Sequence, residues 1–246
     1  EFVAQEEMGR MTGYWWNGDD TRIAVQRTDE SPVGIVTRAA IGATGTKVFD
    51  QRYPVAGSDN AIVELFVMDP DGRNQVKVDL GEETDIYVAR VDWAPDGSAL
   101  FVQRQNREQT VLDMLRVNPK TGESQIVLTE EASQDHWVNL SDDYHFMGEA
   151  DPKLIWWSER DGFGHLYLYG TADGEPKQLT SGRFVVTKLV GVDQENGFVY
   201  VTATSEENPL EQHVYTFTLD NPRESWSRLT EPGFTHSAIM DGGGKT

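Results

Sequence analysis

Two adjacent glutamates, Glu6 and Glu7, are the residues of this sequence whose type and spacing best suit them to hold a cation. On a strand the two side chains would point to opposite faces. On a short helix they lie about 100° apart, so both can reach one cation if the helix end faces a cavity. The flanking Val3-Ala4-Gln5 and Met8 permit one or two helical turns. A free α-amino group titrates near about pH 8 and is largely protonated at neutral pH. Each charge-assisted hydrogen bond from a carboxylate to such a group contributes about 1.5–3 kcal/mol. The same pair also reads as a solvated acidic surface, because the chain carries 41 Asp and Glu against 21 Lys and Arg. Residue type alone leaves both readings open.

Other chemistries find less support. There is no Gly-x-Ser-x-Gly, so the nucleophile elbow of a serine hydrolase is absent from these residues. His136, His145, His165, His213 and His236 fall in or beside expected strands with no paired spacing for a metal, and read as structural. Gly242-Gly243-Gly244-Lys245-Thr246 resembles a phosphate loop, but Ile239 stands where the motif needs a further glycine. Asp69-Pro70-Asp71-Gly72 opens like a calcium loop, yet Leu80 occupies the position of the closing glutamate, so a tight turn is expected. Neither a metal site nor a cofactor is expected. The net charge of −20 argues against nucleic acid and anionic membrane as main partners. No cysteine is present, and no apolar run approaches the roughly 20 residues of a membrane span.

The elements that must position the glutamates come from a repeat. Four segments each pair an apolar strand with a turn and a second strand closing on a Leu-Thr-like pair. They are Leu65–Leu80, Leu112–Thr129, His165–Thr180 and His213–Thr230, and Leu80, Leu128, Leu179 and Leu229 lie 48, 51 and 50 residues apart. Their turns are Asp69–Gly72, Asn118–Gly122, Ala172-Asp173-Gly174 and Asp220–Pro222. Between them lie inner strand pairs, best seen in Ala89–Trp93 and Ala99–Val102 around Pro95-Asp96-Gly97, and again in Tyr14–Trp16 and Arg22–Val25. Leu154–Trp157 and Phe198–Val201 are the later counterparts. Four strands per unit of about fifty residues, repeated, predict an all-β fold of β-propeller blades with four-stranded antiparallel sheets.

Four full units are legible, and Phe234–Met240 matches the start of a fifth. A ring must close or leave unpaired edges, so the sequence is expected to be a piece of something longer, an incomplete propeller. The Gly-, Ala- and Thr-rich stretch Thr37–Asn60 interrupts the first unit and is expected as a loop, or an arm reaching off the blade.

An ordered set of strings gives the chain a family resemblance. Glu1-Phe2-Val3-Ala4-Gln5-Glu6-Glu7-Met8 with Thr12-Gly13-Tyr14-Trp15-Trp16 resembles the double-glutamate helix and following strand of the dipeptidyl peptidase IV propeller, in its bacterial form. Gln51-Arg52-Tyr53-Pro54, Asp85–Trp93, Gln103–Arg107 and Trp157–Leu168 fit the same family, so the resemblance spans essentially residues 1–246. It implies a serine peptidase, within the prolyl oligopeptidase clan, in which a catalytic α/β-hydrolase domain sits over an eight-bladed propeller. The enzyme releases dipeptides from peptides with Pro or Ala in the second position. In the family the double glutamate binds the substrate's free N-terminal ammonium, and Glu6 and Glu7 are the matching positions.

The resemblance further implies that the triad and the family's first blades lie outside these residues, so the isolated segment should be inactive. It also implies a peptide partner with a free N-terminus, the catalytic domain of the same parent chain, a homodimer contacted through the arm, and a periplasmic or secreted location. The alternative from another class is a non-enzymatic propeller that scaffolds protein partners.

Overall fold

The computed structural model describes residues 2–133, 135–148, 152–170 and 175–241. It divides into two compact units, Glu1–Leu140 and Ser141–Thr246. Apart from one short helix, α1 (Phe2–Glu6), the regular elements among the described residues are strands.

In the first unit, β1 (Tyr14–Trp16), β2 (Ile23–Asp29), β5 (Ile62–Met68) and β6 (Val76–Lys77) form one antiparallel sheet in that order. The hairpin β3 (Ile35–Gly42) and β4 (Gly45–Arg52) is inserted between its second and third strands as a separate two-stranded sheet. A second four-stranded meander follows, made of β7 (Ile86–Trp93), β8 (Leu100–Asn106), β9 (Val111–Val117) and β10 (Ser124–Glu131).

The second unit repeats the plan twice. One sheet holds β11 (Tyr144–Met147), β12 (Lys153–Ser158), β13 (His165–Gly170) and β14 (Lys177–Gln178). The other holds β15 (Val186–Asp193), β16 (Phe198–Thr204), β17 (Gln212–Thr218) and β18 (Ser227–Arg228). These are the four blades that the repeat predicts, and among the described residues no sheet closes on itself.

Local chemistry explains the blades. Along β5, buried Val63, Leu65 and Val67 alternate with half-buried Glu64, Phe66 and Met68, the period of a strand with one covered face. Strand β8 buries Leu100 to Gln103 in succession, as a strand covered on both faces does. Turns between strands use glycine where the backbone must be left-handed. Gly97 at φ 71° closes the β7–β8 turn with its N–H on the Ala94 carbonyl at 2.8 Å.

Within each unit the two blades face each other across one core. Ala24, Leu65, Val67 and Val78 meet Val88, Leu100, Val102 and Leu115 in the first. Ile155, Leu166 and Leu179 meet Val199, Val201 and Phe217 in the second. Each fully buried Val, Leu, Ile or Phe among them contributes roughly 1.5–3 kcal/mol. Both units add the same polar stitch between blades: Trp93 Nε1 donates to the Trp15 carbonyl at 3.0 Å, and Trp157 Nε1 to the Val186 carbonyl at 2.8 Å.

The interruption of the first unit, expected as a loop or an arm, is a regular hairpin over Ile35–Arg52 with nearly every residue of its ladder exposed. One expectation differs from what is seen. Residues 234–240 form no strand. Their backbone tie is the His236 N–H on the Gln212 carbonyl at 2.8 Å, returned by Gln212 Nε2 to the His236 carbonyl at 3.0 Å, and no strand ladder builds on it. The expected Ala172-Asp173-Gly174 turn and the Gly242–Thr246 segment lie outside the described residues.

Candidate functional site

Helix α1 is short, amphipathic and firmly seated. Val3, Ala4 and Met8 are buried, and Val3 and Met8 pack with Tyr87 and Ala89 of β7 and with Leu140. Glu6 ends the helix and Glu7 follows it, and both carboxylates are left on the exposed side. The chain then leaves sharply. Glu7 N–H bonds the Val3 carbonyl at 2.9 Å, Gly9 turns at φ 65°, and Arg10 N–H returns to the Ala4 carbonyl at 2.8 Å.

Two guanidinium groups fix this exit. Arg90 Nη1 donates to the Met8 carbonyl at 2.8 Å. Arg10, 9% exposed, donates Nε to Val88 at 2.9 Å, Nη1 to Thr12 at 2.6 Å and Nη2 to Gln26 Oε1 at 2.9 Å. Its guanidinium also lies over Trp15, 5.6 Å from the ring centre. The helix carbonyls of Val3 and Ala4 are taken up by backbone N–H groups, and the two guanidinium groups hold the chain that leaves the helix.

The start of the helix is tied to the base of the hairpin. Phe2 meets Tyr53 edge-on with ring centres 5.0 Å apart, and the Arg38 guanidinium of β3 covers Phe2 at 5.6 Å and Tyr53 at 5.9 Å. Arg107, on the β8–β9 turn, donates Nη2 to the Pro54 carbonyl at 3.2 Å and pairs through Nη1 with Asp85 at 3.3 Å.

The electrostatics of the pair run against local preference. Carboxylates are favoured at helix N-termini, whereas Glu6 and Glu7 stand at the C-terminal end, where the helix dipole is negative. Glu7 has one side-chain partner, Gln109 Nε2, which donates to Oε2 at 3.2 Å. Glu6 makes no side-chain hydrogen bond or ion pair among the described residues. Among the described residues no cation of the fold pairs with either carboxylate, and both remain exposed.

The remaining sequence candidates are engaged elsewhere. His165 and His213 are buried, each with Nδ1 3.1 Å from a threonine hydroxyl, Thr180 and Thr230. Burial pushes the His145 and His165 imidazoles below the usual histidine range. His136 meets Ser133 Oγ at 3.1 Å, and His236 meets the Glu231 carbonyl at 3.1 Å. Asp69–Gly72 is a hairpin turn with Gly72 at φ 82°. Its Asp71 carboxyl is held below the ordinary range by the Arg73 side chain and backbone. Among the described residues no group of three or more His, Cys, Asp or Glu is placed to hold a metal, and no helix is long and apolar enough to cross a membrane.

Sequence reasoning missed Arg10, Arg90 and Gln109. Arg90 left a trace, since it interrupts the apolar run Tyr87-Val88-Ala89 and Val91. Gln109 left none, because its contact with Glu7 spans 102 residues.

Comparison with known proteins agrees with this architecture. The family model for the dipeptidyl peptidase IV N-terminal region matches residues 1–246. Human dipeptidyl peptidase 8 is 27% identical over 310 aligned positions, which take in 97% of this chain and 34% of that protein. The crystal structure of Porphyromonas gingivalis dipeptidyl peptidase 4 is similar with a TM-score of 0.79 and 29% identity over 94% of this chain and 32% of that one. A Bacteroides ovatus structure described as a dipeptidyl aminopeptidase IV is similar with a TM-score of 0.77 and 26% identity, over 98% of this chain and 36% of that one. The chain therefore spans about a third of the length of these relatives.

Proposed function

The chain belongs to the dipeptidyl peptidase IV N-terminal region family, and from that premise we propose that it is the amine-recognising part of a serine dipeptidyl peptidase's propeller. Glu6 and Glu7 receive the protonated N-terminus of a peptide, and a hydrolase domain elsewhere in the parent cuts two residues further on. The observation that supports this most is the exposed carboxylate pair at the end of a seated helix whose exit is held by Arg10 and Arg90. A protonated amine with three N–H donors is the group such a pair satisfies. The pair works as a ruler: it fixes one end of the substrate, so the distance to the nucleophile sets the product length.

The finer parts of the reading go with it. X-Pro and X-Ala dipeptides are the proposed products, the propeller gates access to the catalytic domain, and the parent acts in the periplasm or outside the cell. The exposed hairpin β3–β4 is proposed as a contact of a homodimer. An arm-deleted full-length protein that sediments as the wild type does, both as monomers, would remove that contact.

The decisive experiment uses the full-length gene product with Glu6→Gln and Glu7→Gln. Each is expected to lower kcat/KM on a free-amine X-Pro substrate by roughly 10- to 100-fold. The N-acetylated substrate should be cleaved poorly by wild type and variants alike. If the variants leave the preference for the free amine intact, the pair is a solvated acidic surface and the reading fails.

A further inference from the structure

Glu6 and Glu7 are neighbours in sequence but are not held alike. Glu7 accepts a hydrogen bond from Gln109 Nε2 at 3.2 Å, whereas Glu6 is left to solvent. Gln109 sits in the left-handed region at φ 59°. The other non-glycine residues with positive φ among those described are Asp20, Asn74 and Asp135, whose short side chains tolerate that region. A glutamine there is costlier than glycine or asparagine, and it supplies what neither offers: an amide on a side chain long enough to reach Glu7.

The turn that carries Gln109 is itself fixed. Asn106 Oδ1 accepts the Thr110 and Val111 N–H groups, each at 2.9 Å, and Gln109 N–H bonds the Asn106 carbonyl at 3.0 Å. The Gln109 carbonyl accepts Val138 N–H at 2.8 Å. Arg107, two residues earlier, holds Asp85 and Pro54.

We infer that Gln109 is a positioning residue that orients the Glu7 carboxylate for the incoming amine, an inference that rests on the amine-recognition reading above. The Gln109 bond fixes the Glu7 plane through Oε2 and leaves Glu7 Oε1 and both Glu6 oxygens open to the N–H donors of an ammonium group. Glu7 is then the fixed jaw and Glu6 the adjustable one. Pre-orientation lowers the ordering needed on binding, so its loss should fall on substrate affinity and leave the chemical step alone.

The test is Gln109→Gly in the full-length protein, because glycine suits the backbone at this position and removes the amide without threatening the fold. KM for a free-amine X-Pro substrate should rise about three- to tenfold, with kcat within about twofold and the melting temperature unchanged or higher. Gln109→Glu, which sets a third carboxylate against Glu7, should raise KM further. An unchanged KM in Gln109→Gly, or a loss confined to kcat, overturns the positioning role while Glu7→Gln still impairs amine preference. If Glu7→Gln is itself without effect, the underlying reading falls and this inference falls with it.

Discussion

In the second blade, Thr129 Oγ1 donates to Asp113 Oδ1 at 2.6 Å, while Arg104 Nη2 holds Asp113 Oδ2 at 2.5 Å and Arg104 Nη1 reaches the Leu80 carbonyl at 2.5 Å. In the third blade the matching cross-strand position is His165. Its Nδ1 lies 3.1 Å from Thr180 Oγ1 and its Nε2 3.1 Å from the Gly182 carbonyl, while Thr180 Oγ1 accepts the Leu166 N–H at 3.0 Å. The fourth blade repeats the threonine contact with His213, Thr230 and the Val214 N–H, but there Nε2 faces Glu211 Oε2 at 3.1 Å. The threonines are those that close the sequence repeat; their partners differ in kind. The first unit uses an ion pair, and the second uses imidazoles. In His165 a carbonyl on Nε2 requires an N–H there, and burial disfavours the charged ring, which leaves Nδ1 to accept the Thr180 hydroxyl. The clasp of the second blade is an ion pair and those of the third and fourth are built on imidazoles, so the two units should fail under different stresses.

The largest effect should come from Asp113→Ala. It strips Arg104 and Thr129 of their shared acceptor in a site where Arg104 and Asp113 are 19% and 10% exposed, and should destabilise the first unit by about 3 kcal/mol. Denaturant unfolding with residue-resolved hydrogen exchange measures this, and comparable loss of protection in blades 3 and 4 would erase the distinction drawn here. Thr180→Val is the matched lesion in the second unit. It leaves the buried Leu166 N–H and His165 Nδ1 without their partner, at about 1–3 kcal/mol. An effect below about 0.5 kcal/mol in the same assay would show that the clasp is packing alone.

The smallest effect is the response to mild acid, and its sign follows from the direction of the shifts. His165 and His145 titrate below the ordinary histidine value, so below about pH 6.5 the unfolded chain binds more protons than the folded one. Stability of the second unit should fall as pH drops from there through the folded values. Asp143, whose carboxyl burial raises, offsets part of this nearer the carboxylate range. In the first unit the shifted groups are carboxylates held low, such as Asp29, Glu64, Asp71 and Asp96, and their contribution persists until about pH 4. Amide protection should therefore decline in blades 3 and 4 as the pH falls below about 6.5, while blades 1 and 2 hold until their carboxylates titrate. His165→Gln should flatten that decline, and a parallel loss in both units would contradict it.

What the sequence made legible was whatever repeats or alternates. The spacing of Leu80, Leu128, Leu179 and Leu229 set the blades, and Asp-Gly turns set their hairpins. Glu6 and Glu7 were visible as a pair, but their chemistry became specific through family resemblance. The hairpin Ile35–Arg52 was expected as a loop or arm because a ladder exposed on both faces carries no inside-outside pattern to read. Residues 234–240 look like a strand, yet they find no ladder to join. The clasp partners and Gln109 escaped for a common reason: each depends on where distant turns bring a side chain, and a linear string does not record that.

The arm also carries a lesson about how such a propeller can change over generations. Strands β2 and β5 pair directly down to Asp29 opposite Ile62, so the first blade's ladder is complete without anything in between. The arm is chain inserted at a point the sheet has already closed, where doubling a loop's length adds only about 0.6 kcal/mol of closure entropy. Lengthening, shortening or exchanging it is therefore nearly free for the blade. Such edits reach the glutamates at the base of the arm, where Tyr53 and Arg38 meet Phe2 and where Arg107, on the turn that carries Gln109, holds the Pro54 carbonyl. An arm that keeps these contacts is free to diversify at its tip.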